Sequence, residues 1–578
     1  MPDLTQDISP LQPVSSDHPA LAGFVREPFT PEETQVLSRF FTNLDLPVFG
    51  LVGMPQVVAG ALFARYSRTH KSLRRLFLDE FVGFGSGPSE DAIDAIAAQL
   101  AASSDVDVLS ALRRAEQLYE RVFLGFGDDS VAQLGGAHVA CEQVSNLLSK
   151  QLEWGRLASY LEQSTRYIRY DDRVGFADGS SGFRYHVPDE VRAAGLESDF
   201  RAGMDALFVT YSEIVQALEG FYASQPRPGG LSDAAWRGLV RSQACDAARG
   251  LLPAATRSNL GIFASGQAYE QLLLRLQSSR LSEARLFGGM LLGELRKMIP
   301  SFLSRVDRED RGVAWSRYLA GIRDRTGEVA AELARRHLPE GFDPAACDVV
   351  DPSSGDSVRL VWWDPDAERK ITEALLFQSG LSQAEAERVA ERMSEAEVDA
   401  LWRAAVGERL NRRHKPSRAF EEALYRVEVV SDYGAFRDLQ RHRMMSIHWH
   451  TLDCRSGFSV PEPVAEVGLS DAYTEAMDEA AGLSRAVEAA TSADVAAYVV
   501  PFGYRLRYSM TFNARQAFHM LELRSQPNGH PSYRRVAGLI FSQIRDVAGH
   551  CRIAEAMSHV NTDLLTSGRL DEARRNSR

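Results

Sequence analysis

Three stretches carry side chains able to do chemistry on an anion. The first is SYLEQSTRY, Ser159–Tyr167. In an extended chain successive side chains point to opposite faces, so Glu162, Ser164 and Arg166 fall on one face. A carboxylate, a hydroxyl and a guanidinium on one face can grip a phosphorylated sugar. Arginine suits phosphate because its planar fork donates two hydrogen bonds at once. The same alternation also describes a solvated polar face. The second stretch is RHRMMS, Arg441–Ser446, with Arg437 before it. Arg441, His442 and Arg443 beside Met444 and Met445 form a local positive site that draws an anionic cofactor or substrate. An ordinary basic surface patch is the alternative. The third is NARQAFHMLELR, Asn513–Arg524. Asn513 is a good N-cap for the helical pattern behind it. Ala517, Leu521 and Arg524 recur at helical spacing, which puts Arg524 on the apolar side. A guanidinium there is costly unless an acid or a ligand pairs with it, and an internal glutamate is one candidate.

His442, His448, His450, Asp453 and Cys454 supply metal-ligand types. Their spacing matches no zinc motif, and the neighbouring arginines repel a cation. No metal is expected.

The elements that must position these groups form two similar halves. PVFGLVGMPQVVAGALFARYS (Pro47–Ser67) resembles VRLVWWDPDAERKITEALLFQS (Val358–Ser379): strand, proline turn, helix, serine. QAYEQLLLR (Gln267–Arg275) matches QAFHMLELR (Gln516–Arg524), which puts Arg275 and Arg524 in one register. ARGLLP (Ala248–Pro253) matches AAYVVP (Ala496–Pro501) in position. Three matches in the same order argue for a duplication. Between the halves, residues 338–357 collect Pro, Gly, Asp and Ser, which is linker chemistry. Gly327–His337 and Ala367–Phe377 read as helices and Val358–Trp362 as a strand. Asp189–Gln225 and Ser282–Met298 read as long amphipathic helices. The expected organisation is a disordered tail over 1–25, a first domain over 26–337 with a helical insertion at about 190–245, and a second domain over 358–578.

Composition narrows the function classes. The 578 residues are too many for one core and predict at least two domains. Apolar residues make up 44% and charged residues 25%, the balance of a soluble globular protein. No apolar run reaches membrane-span length, and the start has no signal-peptide pattern. A net charge of −13 argues against wholesale nucleic-acid binding but allows a nucleotide in a locally basic pocket. Five scattered cysteines fit a reducing cytosol, so a cytoplasmic location is expected.

Together the motifs resemble the flavin-dependent thymidylate synthases, whose signature is RHRxxSxNExSxRY, then ARxxLP, then an NxR pair opening a helix, then an arginine nine residues on. The first copy reads WGRLASYLEQSTRY. It keeps Arg156, Ser159, Glu162, Ser164, Arg166 and Tyr167, with Gln151 upstream and Arg249 in ARGLLP. Its ARYS (Ala64–Ser67) is similar to the family's early flavin-contacting segment, which implies a cofactor role for Ser67. The second copy reads RHRMMSIHWHTLDC. It keeps Arg441, His442, Arg443 and Ser446, and later Asn513, Arg515 and Arg524, while Ala497 replaces the arginine of ARxxLP. Neither copy keeps the family's upstream Glu-His: Gln133–Leu134 and Phe420–Glu421 stand there.

The resemblance implies an α+β fold of two tandem domains with extra long helices. It implies methylation of dUMP at carbon 5 with methylenetetrahydrofolate, FAD and NADPH. Gln151, Glu162, Ser164, Arg166, Arg249, Arg441 and Arg524 would bind substrate, with Ser164 and Arg524 closest to the chemistry. Ser67, Arg441, His442, Arg443, Asn513 and Arg515 would contact flavin. The losses are complementary, so a composite site between the halves is expected, in a homodimer that mimics the family's tetramer. The alternatives are a related flavin enzyme acting on another pyrimidine nucleotide, or a nucleotide-binding paralogue without turnover.

Overall fold

The structure is a computed structural model. It describes residues 9–54, 56–66, 68–82, 133, 135–339, 355–563 and 568–576. Its contacts divide into two units. The first takes its described residues from Met1–Val209, Pro253–Phe342 and Arg485–Val499, and the second from Thr210–Leu252, Asp343–Ser484 and Val500–Arg578.

Each unit is built on one four-stranded antiparallel sheet. In the first these are β1 (Val48–Leu51), β2 (Gly136–Ser145), β3 (Ala158–Glu162) and, after a short hairpin β4 (Val174–Gly175) and β5 (Ser181–Gly182), β6 (Arg257–Ser265). Their order is β1-β2-β6-β3. In the second they are β7 (Ser357–Trp363), β8 (Leu424–Asp432), β9 (Ser446–Trp449) and β10 (Arg505–Asn513), in the order β7-β8-β10-β9. The two sheets follow the same path, so the duplication inferred from sequence is a structural one. In β10, Leu506, Tyr508, Met510 and Phe512 are buried and alternate with half-buried residues, as a sheet covered on one face requires. The Ala514–Arg524 and Pro531–Ser542 helices bury Ala517, Phe518, Leu521, Val536 and Ile540. The first unit's core gathers Phe49, Leu62, Tyr66, Leu73, Leu76 and Phe77.

The strand registers align the repeats independently of sequence. Ser159 lies opposite Phe263, and Ser446 opposite Thr511, each two residues before a helix cap. Ser265 caps its helix by accepting from Ala268 N at 3.3 Å, and Asn513 by accepting from Gln516 N at 2.8 Å. The caps correspond, so Arg275 is the tenth residue past its cap and Arg524 the eleventh. The shared register read from sequence is therefore off by one residue, about 100° around a helix. Another difference is a bulge in β2, where the pairing shifts between Cys141 and Val144 and Gln143 adopts φ 60°.

Other expectations meet local physics. Val358–Trp362 falls within β7, Ala367–Phe377 and Ser282–Met298 are helices as read, and Gly327–His337 ends a helix that starts at Ala314. Asp189–Gln225 is not one helix. It breaks into Asp189–Ala193 and Glu197–Ser224 because Gly195, at φ 73°, terminates the first turn. Residues 1–8 of the expected tail lie outside the described residues. From Ser9 the segment packs, with Leu11, Leu21 and Phe24 buried. Most of the expected linker also lies outside them. No described helix is long and apolar enough to cross a membrane.

The division into units exchanges segments between the repeats. Arg249 and Gly250, from the first repeat's ARGLLP, belong to the second unit. Ala497 and Tyr498, from the second repeat's AAYVVP, belong to the first.

Candidate active site

The second unit gathers arginines from both repeats around one carboxylate. Asp432 ends β8 and caps the Tyr433–Leu439 helix, its Oδ1 accepting from Ala435 N at 2.7 Å. Asp438 sits on that helix. Its Oδ1 lies 3.3 Å from Arg441 Nη2 and 3.3 Å from Arg524 Nη1, and its Oδ2 lies 3.8 Å from Arg249 Nη1. The Asp438 side chain is 14% exposed and that of Arg249 5%. Each guanidinium has five N–H donors, more than one shared carboxylate can accept. Such a cluster suits phosphate or the developing charge of an enolised ring.

His442 completes it. Arg524 Nε donates to His442 Nε2 at 2.9 Å, which places the ring proton on Nδ1. Burial, then the Arg524 guanidinium, hold the imidazole well below its usual pKa, so it is neutral. The His519 ring lies 5.2 Å away and its Nδ1 meets Lys415 Nζ at 2.7 Å. Burial and then Lys415 push His519 down to about 4. Arg524 also stacks over Tyr533, 5.4 Å from the ring centre. Its partners are thus an aspartate and a histidine, not the internal glutamate suggested from sequence.

At the start of the Ala514–Arg524 helix, Arg515 pairs with Glu421 at 3.3 Å and donates to the Pro416 carbonyl at 3.1 Å. Beside it, buried Gln516 Nε2 has no hydrogen-bond partner among the described residues. Half-buried Arg443 makes no ion pair among them either. Lys415 and Arg515, with an orphaned amide donor on Gln516, are a donor set that fits an anionic group. Asn513 uses its Oδ1 in capping, and Arg524 lies eleven residues further, about 16 Å along the helix axis. The two groups would serve different parts of a ligand set.

The first unit places its own candidates differently. Gln151 Oε1 accepts from Ser279 Oγ at 3.3 Å. Glu162 is 4% exposed and accepts from Ser149 Oγ at 2.9 Å and Lys150 Nζ at 3.1 Å. Lys150 also bonds Glu153 at 2.5 Å. The common face proposed for Glu162, Ser164 and Arg166 does not form. β3 ends at Glu162, Gln163 is buried and donates to the Thr69 carbonyl, and Ser164–Tyr167 is a turn. Ser164 Oγ accepts from Arg166 N at 3.3 Å, the local bond by which serine opposes an extended chain. Trp154, where the second repeat has Arg441, carries Arg275 5.7 Å from its ring centre. Ser67 and most of the 127–134 stretch lie outside the described residues. In the other repeat, Phe420 is core, edge-on to Phe518 at 5.5 Å, and Glu421 serves Arg515.

Sequence reasoning missed Asp438, Lys415, His519 and Tyr533. Asp438 had a signal: it lies six residues past the Asp432 cap, as Gln151 lies six past the Ser145 cap. Among the described residues no group of three or more His, Cys, Asp or Glu is placed to hold a metal.

Two repeated sheets and an arginine cluster drawn from both repeats define a duplicated α+β fold, and the comparisons give its family. Residues 86–301 and 359–549 match the thymidylate synthase complementing proteins, and the chain belongs to that family as a tandem two-copy member. Relatives named UPF0159 protein occur in Chlamydia muridarum (strain MoPn / Nigg), 36% identical over 88% of this chain and 91% of the relative. Others occur in Chlamydia pneumoniae, 34% identical over 89% and 92%, and in Thermoplasma acidophilum, 30% identical over 89% and 98%. A solved UMP/dUMP methylase, PolB from Streptomyces cacaoi bound with 5-Br dUMP, is 18% identical with a TM-score of 0.30, covering 36% of this chain and 96% of that one.

Proposed function

We propose that the chain methylates a pyrimidine nucleotide, dUMP, at carbon 5, taking the carbon from methylenetetrahydrofolate in a flavin-dependent reaction with NADPH as reductant. Family membership supports the reaction class. The observation that carries the assignment to this site is the meeting of Arg249, from one repeat, with Arg441 and Arg524, from the other, around Asp438. Arg524 is held by Asp438 and neutral His442, so it is preorganised to face charge developing on the uracil ring. Arg249 and Arg441 answer the phosphate. Arg441, His442, Arg443, Asn513 and Arg515 would hold FAD, which supplies the hydride that completes the new methyl group. Ser164, Arg166 and Gln151 would add nucleotide contacts, and the chain would work as a homodimer.

A related enzyme for another pyrimidine nucleotide is the second reading. It is favoured by Trp449, which stands where the first repeat has Glu162 and packs 5.5 Å from Phe436. The purified protein should show a flavin absorbance spectrum that shifts with dUMP. With methylenetetrahydrofolate present, it should oxidise reduced flavin only when dUMP is added. A colourless protein that takes up no FAD contradicts the proposal. dUMP binding without transfer of deuteride from reduced flavin to product leaves only a binding protein. Turnover with another pyrimidine nucleotide but not dUMP selects the second reading.

A further inference from the structure

The Ala314–His337 helix of the first unit carries an exposed apolar stripe. Its first half is docked: Ser316, Ala320 and Gly321 are buried, Ser316 Oγ donates to the Leu274 carbonyl at 3.2 Å, and Arg323 donates to the Ser278 carbonyl at 2.9 Å. From Arg325 to His337 every residue is exposed except half-buried Glu332. Trp315, Ile322, Thr326, Val329 and Leu333 share one side, about 80–140° round the helix from Ser316. Ile322 is 37% exposed, Val329 59% and Leu333 45%. Helices below roughly 12–15 residues are marginal in water on their own, and helices in proteins owe most of their stability to packing. Gly327, whose Cβ position meets nothing within 4 Å, weakens this half further. A helix of this kind needs a partner along its stripe.

The stripe has the spacing of a coiled-coil seam. Leu319, Thr326 and Leu333 recur every seven residues, and Trp315, Ile322, Val329 and Arg336 recur beside them. Two copies laid antiparallel, with the twofold axis between Gly327 and Glu328, meet layer by layer. Ile322 faces Leu333 of the partner subunit, Thr326 faces Val329 of the partner subunit, and Leu319 faces the aliphatic stem of the partner's Arg336. The twofold axis makes each pair occur twice. On the flank turned away from the docked face, Arg325 comes beside Glu332 of the partner subunit, again twice. A parallel pair would set Arg325 beside Ala330 of the partner subunit and leave its charge unanswered.

We propose that this stripe is the surface through which two copies of the chain associate, as an antiparallel pair of Ala314–His337 helices. A second copy is the occupant because the stripe complements itself, apolar layer on apolar layer and arginine on glutamate. The seam deepens the homodimer proposed above and rests on that part of the reading, not on the reaction.

The test is sedimentation equilibrium of the full chain, with a thermal melt of each variant. Mass is read without nucleotide or flavin, so the outcome is independent of turnover. The wild type should be a dimer. Val329→Glu combined with Leu333→Glu should give a monomer that still melts cooperatively, because both side chains are exposed within one chain. Arg325→Glu alone and Glu332→Arg alone should each weaken the dimer roughly tenfold, by turning two attractions into two repulsions. Arg325→Glu combined with Glu332→Arg should restore it. A monomeric wild type overturns the seam and the homodimer together. A dimer that survives Val329→Glu with Leu333→Glu overturns the seam and leaves the homodimer on another surface. Loss of cooperative melting in that variant without a change in the dimer means the stripe is covered within the chain, which also overturns the proposal. Failure of the combined charge exchange to recover the dimer overturns the antiparallel register.

Discussion

The Arg249 guanidinium, from the first repeat, lies 3.8 Å from the Asp438 carboxylate, from the second. Arg249 reaches it because the ARGLLP stretch belongs to the second unit, while Ala497 in the matching stretch of the other repeat belongs to the first. The arginine is kept in the copy whose unit also holds Arg441 and Arg524, and lost in the copy whose unit holds Trp154 and Arg275.

Asp438 is the counter-ion on which the cluster depends. Asp438→Ala should destabilise the ligand-free protein by about 3 kcal/mol, the lower range for breaking a buried pair. Phosphate or dUMP should restore part of that loss by supplying the missing negative charge. Thermal melts of both proteins with and without dUMP test this. A variant as stable as wild type, with no greater stabilisation by dUMP, would sink it.

His519 gives a pH signature. Its folded pKa is depressed to about 4, chiefly by burial. A depressed imidazole contributes stability that is fully present above its unfolded value near 6.5 and is lost as pH falls toward 4. The effect should be roughly 1–2 kcal/mol once screening of a half-buried ring is allowed for. His519→Gln should flatten the fall in melting temperature between pH 6.5 and pH 4.5. An imidazole titrating near 6.5 by NMR would refute the assignment.

Lys150 separates structure from chemistry in the first unit. Lys150→Met removes the cation bonded to both Glu153 and Glu162, each of them buried. Destabilisation by about 3–5 kcal/mol should follow. If Glu162 bound substrate instead, the variant would melt near wild type and show a raised KM.

Part of the helix pattern was legible because the cap Asn513 is a local signal, whereas β10 was not read as a strand although its apolar residues alternate with period 2. The duplication was legible from three short matches. The surroundings of Glu162 were not, because a buried Lys–Glu network and a solvated phosphate site use the same residue types. The turn after Glu162 was hidden as well. Ser164 and Arg166 alternate correctly for a strand, and only the bond from Arg166 N to Ser164 Oγ decides otherwise. Asp438 was not legible because it lies outside the arginine motifs, and only its place six residues past the Asp432 cap marks it. The one-residue offset of Arg275 is set by strand pairing, which a match of two helices does not register.

The central claim is that one site uses an arginine from each repeat. The most direct measurement is dUMP-dependent oxidation of reduced flavin by the wild type, Arg249→Ala and Arg524→Ala, each checked for cooperative melting. The account predicts turnover by the wild type and a fall of about 10²–10³-fold in both variants, the usual range for losing a donor that stabilises developing charge. Full activity in Arg249→Ala, with Arg524→Ala inactive, would contradict it, because the site would then belong to the second repeat alone.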